Sequence, residues 1–499
     1  MKINKYIVCG LLGLLAGGAC TTNFDEYNAN PNQMDKGTIG PEGLLENLVF
    51  KGAECLLHRT WLLHGELVQY TVSTSSLNAY HRYIIPNGIP ADHWATQFQW
   101  AATAQEMYEL AVKREDPNCQ AIALTMKALY LSNCTDGWGD IPFSEAFKGY
   151  EGVSKPKFDT QEEVYRGLYD LLEEANGLYD ATRKLSTPAK DLLYNGDISK
   201  WRKFTNSLYL RLLMRCVNRD AELGVSERIR RIAENPATYP VFASNADNAT
   251  LFYTGEPPFR NYFGTMTDTN FTSTGRAAAD NIIQMMARSG DPRLAIYFVR
   301  SGDSWEGLPS GEPVDETTNL SGVAKLNKPL LGDYSSPFSL MKYDEVLFIL
   351  SEAAQRGIVA GGTTQAEAWY KAAVKASISY WSGIDPSGNV VGDDVVEAFL
   401  NGVAYDGTLA RIIGQKYIAL FWVGFEAWND YRRTGFPQLA IGNATSNGHT
   451  LPTRFEYPVN TAKTNPERYA EAVARMVGTY GGGDTMTTPV WWSKQASGK

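Results

Sequence analysis

The sequence predicts an all-α chain built from helical hairpins, with a loop-rich irregular insert laid across them. Three observations carry that reading. From Gln120 to Asn133 small and large apolar residues alternate by threes and fours; after Thr160 a capping-box signature opens an amphipathic run; and between about residues 235 and 339 such periodicity breaks down.

The first element is a leader. Lys2 and Lys5 precede an apolar run from Ile7 to Leu15, and Ala16, Gly17, Gly18 and Ala19 lead into Cys20. This reads as a signal peptide over residues 1–19 that ends at a lipidation cysteine. The run is far shorter than the roughly 20 residues a membrane-spanning helix needs. Gly17 stands where lipoprotein signals usually carry Leu, and Leu15 lies two residues further back. The mature chain is expected to start at Cys20, held by several acyl chains where a single one is marginal. The alternative is an ordinary secretory peptide with Cys20 left free. Residues 20–40, polar and Asn-rich around Pro31, read as a lipidated tether, and residues 41–499 as a single domain carrying the insert.

The helices follow. The Gln120–Asn133 run contains Ala121, Leu124, Ala128 and Leu131 and should stop at the cluster of Gly137, Gly139 and Pro142. Thr160 with Glu163 forms the capping box ahead of Val164, Leu168, Leu171, Ala175 and Leu178. Trp201, Phe204, Leu208 and Leu212 make another stripe, with Arg202, Lys203, Arg211 and Arg215 mostly off it. Further helices are predicted at about Tyr343 to Arg356, Gln365 to Tyr380 and Leu409 to Trp428, with a short helical stretch from Ala277 to Ala287 inside the insert. Ala-rich pairs of this kind let helical repeat hairpins pack closely. The 34-residue tetratricopeptide markers are absent, so the repeat reading rests on Ala spacing alone.

Composition excludes several classes. A 44% hydrophobic, 20% charged chain is ordinary for a globular protein. With 46 Lys and Arg against 55 Asp and Glu the net charge is −9, and it falls further when Lys2 and Lys5 leave with the leader, so nucleic acid is not an expected partner. Cys55, Cys119, Cys134 and Cys216 remain after Cys9 and Cys20 are assigned, too few for a disulfide scaffold. On one helix, Cys119 and Cys134 would stand about 22 Å apart and could not pair.

Catalytic patterns are weak. The pairs Asp136/Asp140 and Glu426/Asp430 have the spacing of two neighbouring carboxyls, which an all-α glycosidase would need across a cleft. They fall in a helix end and a packed helix, where capping and ion pairing are the ordinary uses. The five histidines, His58, His64, His81, His93 and His449, form no zinc-ligand spacing, and neither a nucleophile elbow nor a phosphate-cradling Gly loop is present. No cofactor is expected. Scattered Asp and Asn leave room for a structural calcium without EF-hand spacing to place it.

The stretch Gln415 to Pro437, QKYIALFWVGFEAWNDYRRTGFP, resembles the SusD/RagB-like family of nutrient-binding outer-membrane lipoproteins, in its SusD-like branch. Further segments agree in order: Tyr27 to Pro31 after the lipid cysteine, Trp138 to Pro142, Lys200 to Arg215, Asp291 to Arg293, Trp305 to Gly311, Leu340 to Gly357, and Trp491 with Trp492. The resemblance covers essentially the whole mature chain. It implies one all-α domain on tetratricopeptide-like hairpins with an irregular region over them. It also implies a binding protein rather than an enzyme, lipid-anchored in the outer membrane and facing the cell exterior. Such a protein works as the lid of a SusC-like TonB-dependent transporter, capturing oligosaccharides or, in the RagB-like alternative, peptides.

A sugar offers C–H faces for stacking and hydroxyls for hydrogen bonds, so exposed loop aromatics beside Arg or Asn are the candidate ligand contacts. Two stretches qualify. Tyr80, Arg82 and Tyr83 lie in a loop broken by Pro86, Gly88 and Pro90, with Trp94 close behind; Arg260, Asn261 and Tyr262 lie in the insert, joined at a distance by Trp305. The resemblance points to comparable regions. Arg432 and Arg433 are expected to pair with acidic neighbours or carbonyls rather than ligand.

Overall fold

The computed structural model describes residues 39–497, apart from 77–78, 274, 316 and 389. The leader, Cys20 and nearly all of the tether lie outside the described residues.

Thirteen helices of nine residues or more organise these residues: α1 (Pro41–Arg59), α2 (Gly88–Lys113), α3 (Pro117–Trp138), α4 (Gln161–Leu178), α5 (Ile198–Arg215), α6 (Val225–Glu234), α7 (Asp280–Ser289), α8 (Tyr343–Gln355), α9 (Gly362–Gly383), α10 (Asp393–Gly402), α11 (Leu409–Ala419), α12 (Glu426–Thr434) and α13 (Pro466–Tyr480). Helices α2 and α3 form a tight hairpin, α3 packs on α4 and α4 on α5, while α8 and α9 make a second hairpin that α11 joins. The hairpin scaffold expected from the Ala-rich runs is therefore present. Helix α3 is buried nearly all round, which explains its run of small residues. Asp116 caps it by accepting the Cys119 N–H at 3.0 Å. Gly52 on α1 lets Tyr130 approach: a Cβ there would stand 1.9 Å from the phenol oxygen, which donates to the Leu48 carbonyl at 2.6 Å. The Thr160 capping box forms as predicted, Thr160 N–H donating to Glu163 at 2.8 Å and Glu163 N–H to Thr160 Oγ1 at 3.3 Å.

Three expectations need correction. The predicted helix Leu409 to Trp428 breaks at residues 420–425, where Trp422 and Gly424 take φ of 64° and 48°. The stretch Ala277 to Ala287 begins as a strand, because Arg276–Ala278 pairs with two neighbours before α7 starts. Arg211 and Arg215, read as off the apolar stripe of α5, are buried. Their charges are met there by carboxylates from α8, α12 and α3: Arg211 contacts Glu345 at 2.5 Å, and Arg215 contacts Glu426 at 2.5 Å and Asp136 at 3.3 Å. A buried charge persists only when so paired.

The insert is irregular but carries short strands: β1 (Thr71–Ser73), which precedes it, then β2 (Ala249–Leu251), β3 (Arg276–Ala278), β4 (Phe298–Val299), β5 (Lys325–Leu326) and β6 (Phe338–Met341). One antiparallel sheet has the order β1-β3-β5-β4, and β2 pairs with β6. The insert thus ties itself to the segment after α1. One apolar cluster runs from Leu45 to Trp492 and takes in Phe271, Ile282 and Tyr297 from the insert.

Candidate aromatic binding surface

Helix α1 does not end cleanly. It runs into a π-helical turn at Thr60–His64, a local widening that re-aims the side chains beyond it. Trp61 turns inward, 5.3 Å from the Phe263 ring and stacked at 6.2 Å on Phe271, with its indole N–H donating to the Phe271 carbonyl at 3.2 Å. His58, one turn earlier, lies on the surface side, its ring 4.8 Å from that of Tyr262. The end of α1 is therefore the post on which the 259–275 stretch of the insert is hung.

One buried ion pair holds this arrangement. Glu66, just beyond the π turn, sits 2.8 Å from Arg276 Nε and accepts the His81 N–H at 2.6 Å. Arg276 in turn donates to the carbonyls of Leu62 at 2.9 Å and Gly275 at 2.7 Å, and its guanidinium lies 4.7 Å from the Trp61 ring and 5.8 Å from that of Tyr80. Three segments are fastened together: the end of α1, the loop after β1 and the loop before β3. The last closes tightly, since a Cβ at Gly275 would fall 2.1 Å from the Asn270 carbonyl oxygen and 3.1 Å from Trp61.

The two predicted stretches thus meet at one end of α1, but their residues play different parts. Tyr80 and Tyr83 are buried and present no ring face to solvent. Arg82 is half-buried and donates to the Ala444 carbonyl at 2.9 Å. Asn261 is buried, with Nδ2 donating to the Ser336 carbonyl at 2.8 Å and Oδ1 accepting the Phe263 N–H at 2.9 Å, so it shapes the turn. Tyr262 is 44% exposed. Arg260 lies 5.0 Å from the Tyr334 ring and donates to the Gly255 carbonyl at 3.1 Å. Trp94 falls within α2 and packs among Phe98, Trp138, Phe158 and Tyr457. Trp305 is half-buried against the core in the excursion between β4 and β5.

His58, Trp61, Glu66 and Arg276 escaped the sequence reading. Trp61 and Arg276 do their work through partners more than 200 positions away, and no local pattern marks that. Burial pushes the His58 imidazole down to about 4, with Arg59 and Arg276 adding to the effect. It is therefore neutral beneath Tyr262 at physiological pH. An exposed phenol ring on a neutral imidazole suits an uncharged C–H face, while Arg59, paired with Asp92, and Arg260 supply polar groups nearby.

The carboxylates of the glycosidase reading are all engaged. Asp136 accepts the Tyr165 hydroxyl and pairs with Arg215; Asp140 pairs with Arg475 at 2.7 Å; Glu426 pairs with Arg215; Asp430 contacts Lys416 at 2.7 Å and Arg433 at 2.7 Å. Burial alone would raise Asp430, but Lys416, Arg433 and Arg215 hold it well below the ordinary range. Arg432 donates to the carbonyls of Asp136 and Thr453, and Arg433 grips Glu352 at 2.5 Å, the structural roles expected of them. Among the described residues, Glu42, Asp116 and Cys119 come close enough to share an ion. Their thiol is not a calcium ligand, and Glu42 and Asp116 already accept the N–H groups of Ser186 and Cys119.

Comparison with known proteins fits this frame. Residues 31–458 match the model of a SusD-like family described as starch-binding and associating with the outer membrane. Among solved structures, a chitin-binding protein is 27% identical with a TM-score of 0.78, over 91% of this chain and 100% of the other. A SusD homologue from Bacteroides fragilis is 24% identical with a TM-score of 0.75, over 91% and 99% of the two chains. A chitin-binding SusD homologue from Flavobacterium johnsoniae is 22% identical with a TM-score of 0.75, over 92% and 98%. The comparison with curated proteins finds no match. The family is described as starch-binding, and two of these neighbours are described as chitin-binding.

Proposed function

Because the chain belongs to the SusD-like family of starch-binding proteins that associate with the outer membrane, we propose that it captures an oligosaccharide at the end of α1 and hands it on for import. The observation that carries this reading is the exposed Tyr262 ring, packed at a tilt against the neutral His58 imidazole on a post fixed by Trp61 and the Glu66–Arg276 pair. A sugar ring stacks on Tyr262, and its hydroxyls reach polar groups around it. Binding needs no chemistry, in keeping with the ion pairs that hold Asp136, Asp140, Glu426 and Asp430.

The finer parts of the proposal rest on the leader pattern and the family resemblance. Cys20 carries the lipid, the single domain from residue 41 faces outward, and the recipient of the glycan is a SusC-like TonB-dependent transporter. Isothermal titration with starch and chitin oligosaccharides, against a mixture of peptides, tests the capture step. Heat with oligosaccharides alone supports it; heat released only by peptides replaces it with the peptide-capturing alternative.

A further inference from the structure

A second cleft lies at the other end of the β1–β3 ladder from Tyr262, where Gln69 leads into β1 and Asp280 follows β3. It encloses about 520 Å³ between helix α7 and two loops, at residues 309–312 and 440–442. A neighbouring hollow of about 320 Å³ shares Met285 with it, so the groove continues along α7.

The wall on α7 is a polar stripe. Asn281, Gln284 and Arg288 recur at helical spacing and line the cleft together. Among the described residues, Gln284 and Arg288 make no side-chain hydrogen bond or ion pair. Asn281 spends only its N–H, on the Tyr417 hydroxyl at 3.3 Å, which leaves its amide oxygen. Opposite stands Ser310, whose hydroxyl oxygen is buried and has no hydrogen-bond partner. The polar groups that the cleft offers to an outside ligand are those of Asn281, Gln284 and Arg288, which are half-buried or exposed.

The opposite wall is rigid. The two loops touch backbone to backbone: a Cβ at Gly442 would lie 2.4 Å from the Gly311 carbonyl carbon, and Ala444 N–H donates to the Gly311 carbonyl at 2.9 Å. Glu312 is fixed by the Asn443 N–H at 2.9 Å, and the His81 ring accepts the Gly311 N–H at 3.1 Å. The cleft is therefore preformed.

We propose that this cleft is a second saccharide-binding site, independent of Tyr262 in location and resting on the glycan reading for its ligand class. Amide side chains offer a donor and an acceptor at the spacing of neighbouring hydroxyls. Arg288 donates to hydroxyl oxygens, and Asp280 and Glu312 accept from hydroxyl protons. Charges of both signs in one wall disfavour a strongly ionic ligand, and Met285 with the exposed Ile441 gives a small apolar patch for C–H groups.

Hydrogen–deuterium exchange on the full chain, with maltoheptaose and chitohexaose as probes, tests this. The expected result is slower exchange at residues 280–288 and 440–444 with an oligosaccharide, retained in Tyr262→Ala. In the Gln284→Ala, Arg288→Ala double variant the concentration needed for that protection should rise about tenfold or more, as the loss of two polar contacts implies. Because those side chains are not in the core, thermal unfolding of the variant should match the parent. Protection around Tyr262 with none at the cleft overturns the inference alone. Protection of neither region overturns it together with the glycan reading. Protection of the cleft by a dipeptide and not by a sugar replaces its ligand class and overturns it as well.

Discussion

The Glu66 carboxylate lies 2.8 Å from Arg276 Nε with both side chains out of water, and through this contact the end of α1, the loop after β1 and the loop before β3 become one unit. The pair is close but off the line of a good hydrogen bond, and Arg276 spends its remaining donors on the carbonyls of Leu62 and Gly275. The candidate surface owes its shape to a contact that touches no ligand.

That pair gives a pH signature. Burial raises the Glu66 carboxyl to about 7, against the lowering pull of Arg276 and of backbone N–H groups. The folded state therefore holds this proton more tightly than the unfolded chain, and the contribution of Glu66 to stability declines as pH rises from its ordinary value to about 7. Glu66→Gln cannot titrate. Denaturant unfolding should show the parent losing about 2–3 kcal/mol relative to this variant between about pH 4.5 and about pH 7.5. A difference that does not change with pH would contradict the assignment. Arg276→Ala leaves the pair broken and should cost about 3–5 kcal/mol.

The family-marking stretch is architectural. Arg433 is fully buried between Glu352 and Asp430, and Glu426 lies beside Arg215. Arg433→Ala should destabilise the fold by about 3–5 kcal/mol. Asp140→Asn and Glu426→Gln should leave polysaccharide incubations without new reducing ends, as in the parent. Product formed by the parent and lost in either variant would restore the glycosidase reading.

Close packing of α1 on α3 depends on the missing side chain at Gly52, since an added Cβ collides with the Tyr130 hydroxyl. Gly52→Ala should cost about 1–3 kcal/mol by overpacking. Combining it with Tyr130→Phe should recover part of that loss, measured by a double-mutant cycle. Additive losses would show that the two positions do not meet.

Anchoring makes a separate prediction. Cys20→Ser should move the protein from the membrane fraction to the soluble one. Continued fractionation with the outer membrane would contradict lipidation at that residue.

The helical frame was legible because its signals are local. Thr160 with Glu163, the Ala-rich α3 and the α8–α9 pair each state their structure within a few turns of chain. The strands were not, for β1, β3, β4 and β5 have only two or three residues each, too few to show alternation. Arg211 and Arg215 looked like a solvated face, because Glu345 and Glu426, which neutralise them, stand more than 130 positions away. Loop aromatics fared likewise. Tyr80 and Tyr262 carry the same local marks, yet one is buried beside Arg276 and the other is exposed, a difference made by packing across the insert. Composition marked the two stretches as candidates, and only the fold showed that they meet and which ring faces out.

If a sugar stacks on Tyr262, titration of Tyr262→Ala and Tyr262→Phe with starch and chitin oligosaccharides reads that contact out. The alanine variant should keep its thermal stability within about 1 kcal/mol, because the ring is half in water. Its affinity for the oligosaccharide that binds the parent should fall about tenfold or more, whereas the phenylalanine variant, which keeps the ring face, should bind nearly as the parent does. Unchanged affinity in Tyr262→Ala would rule out stacking on that ring.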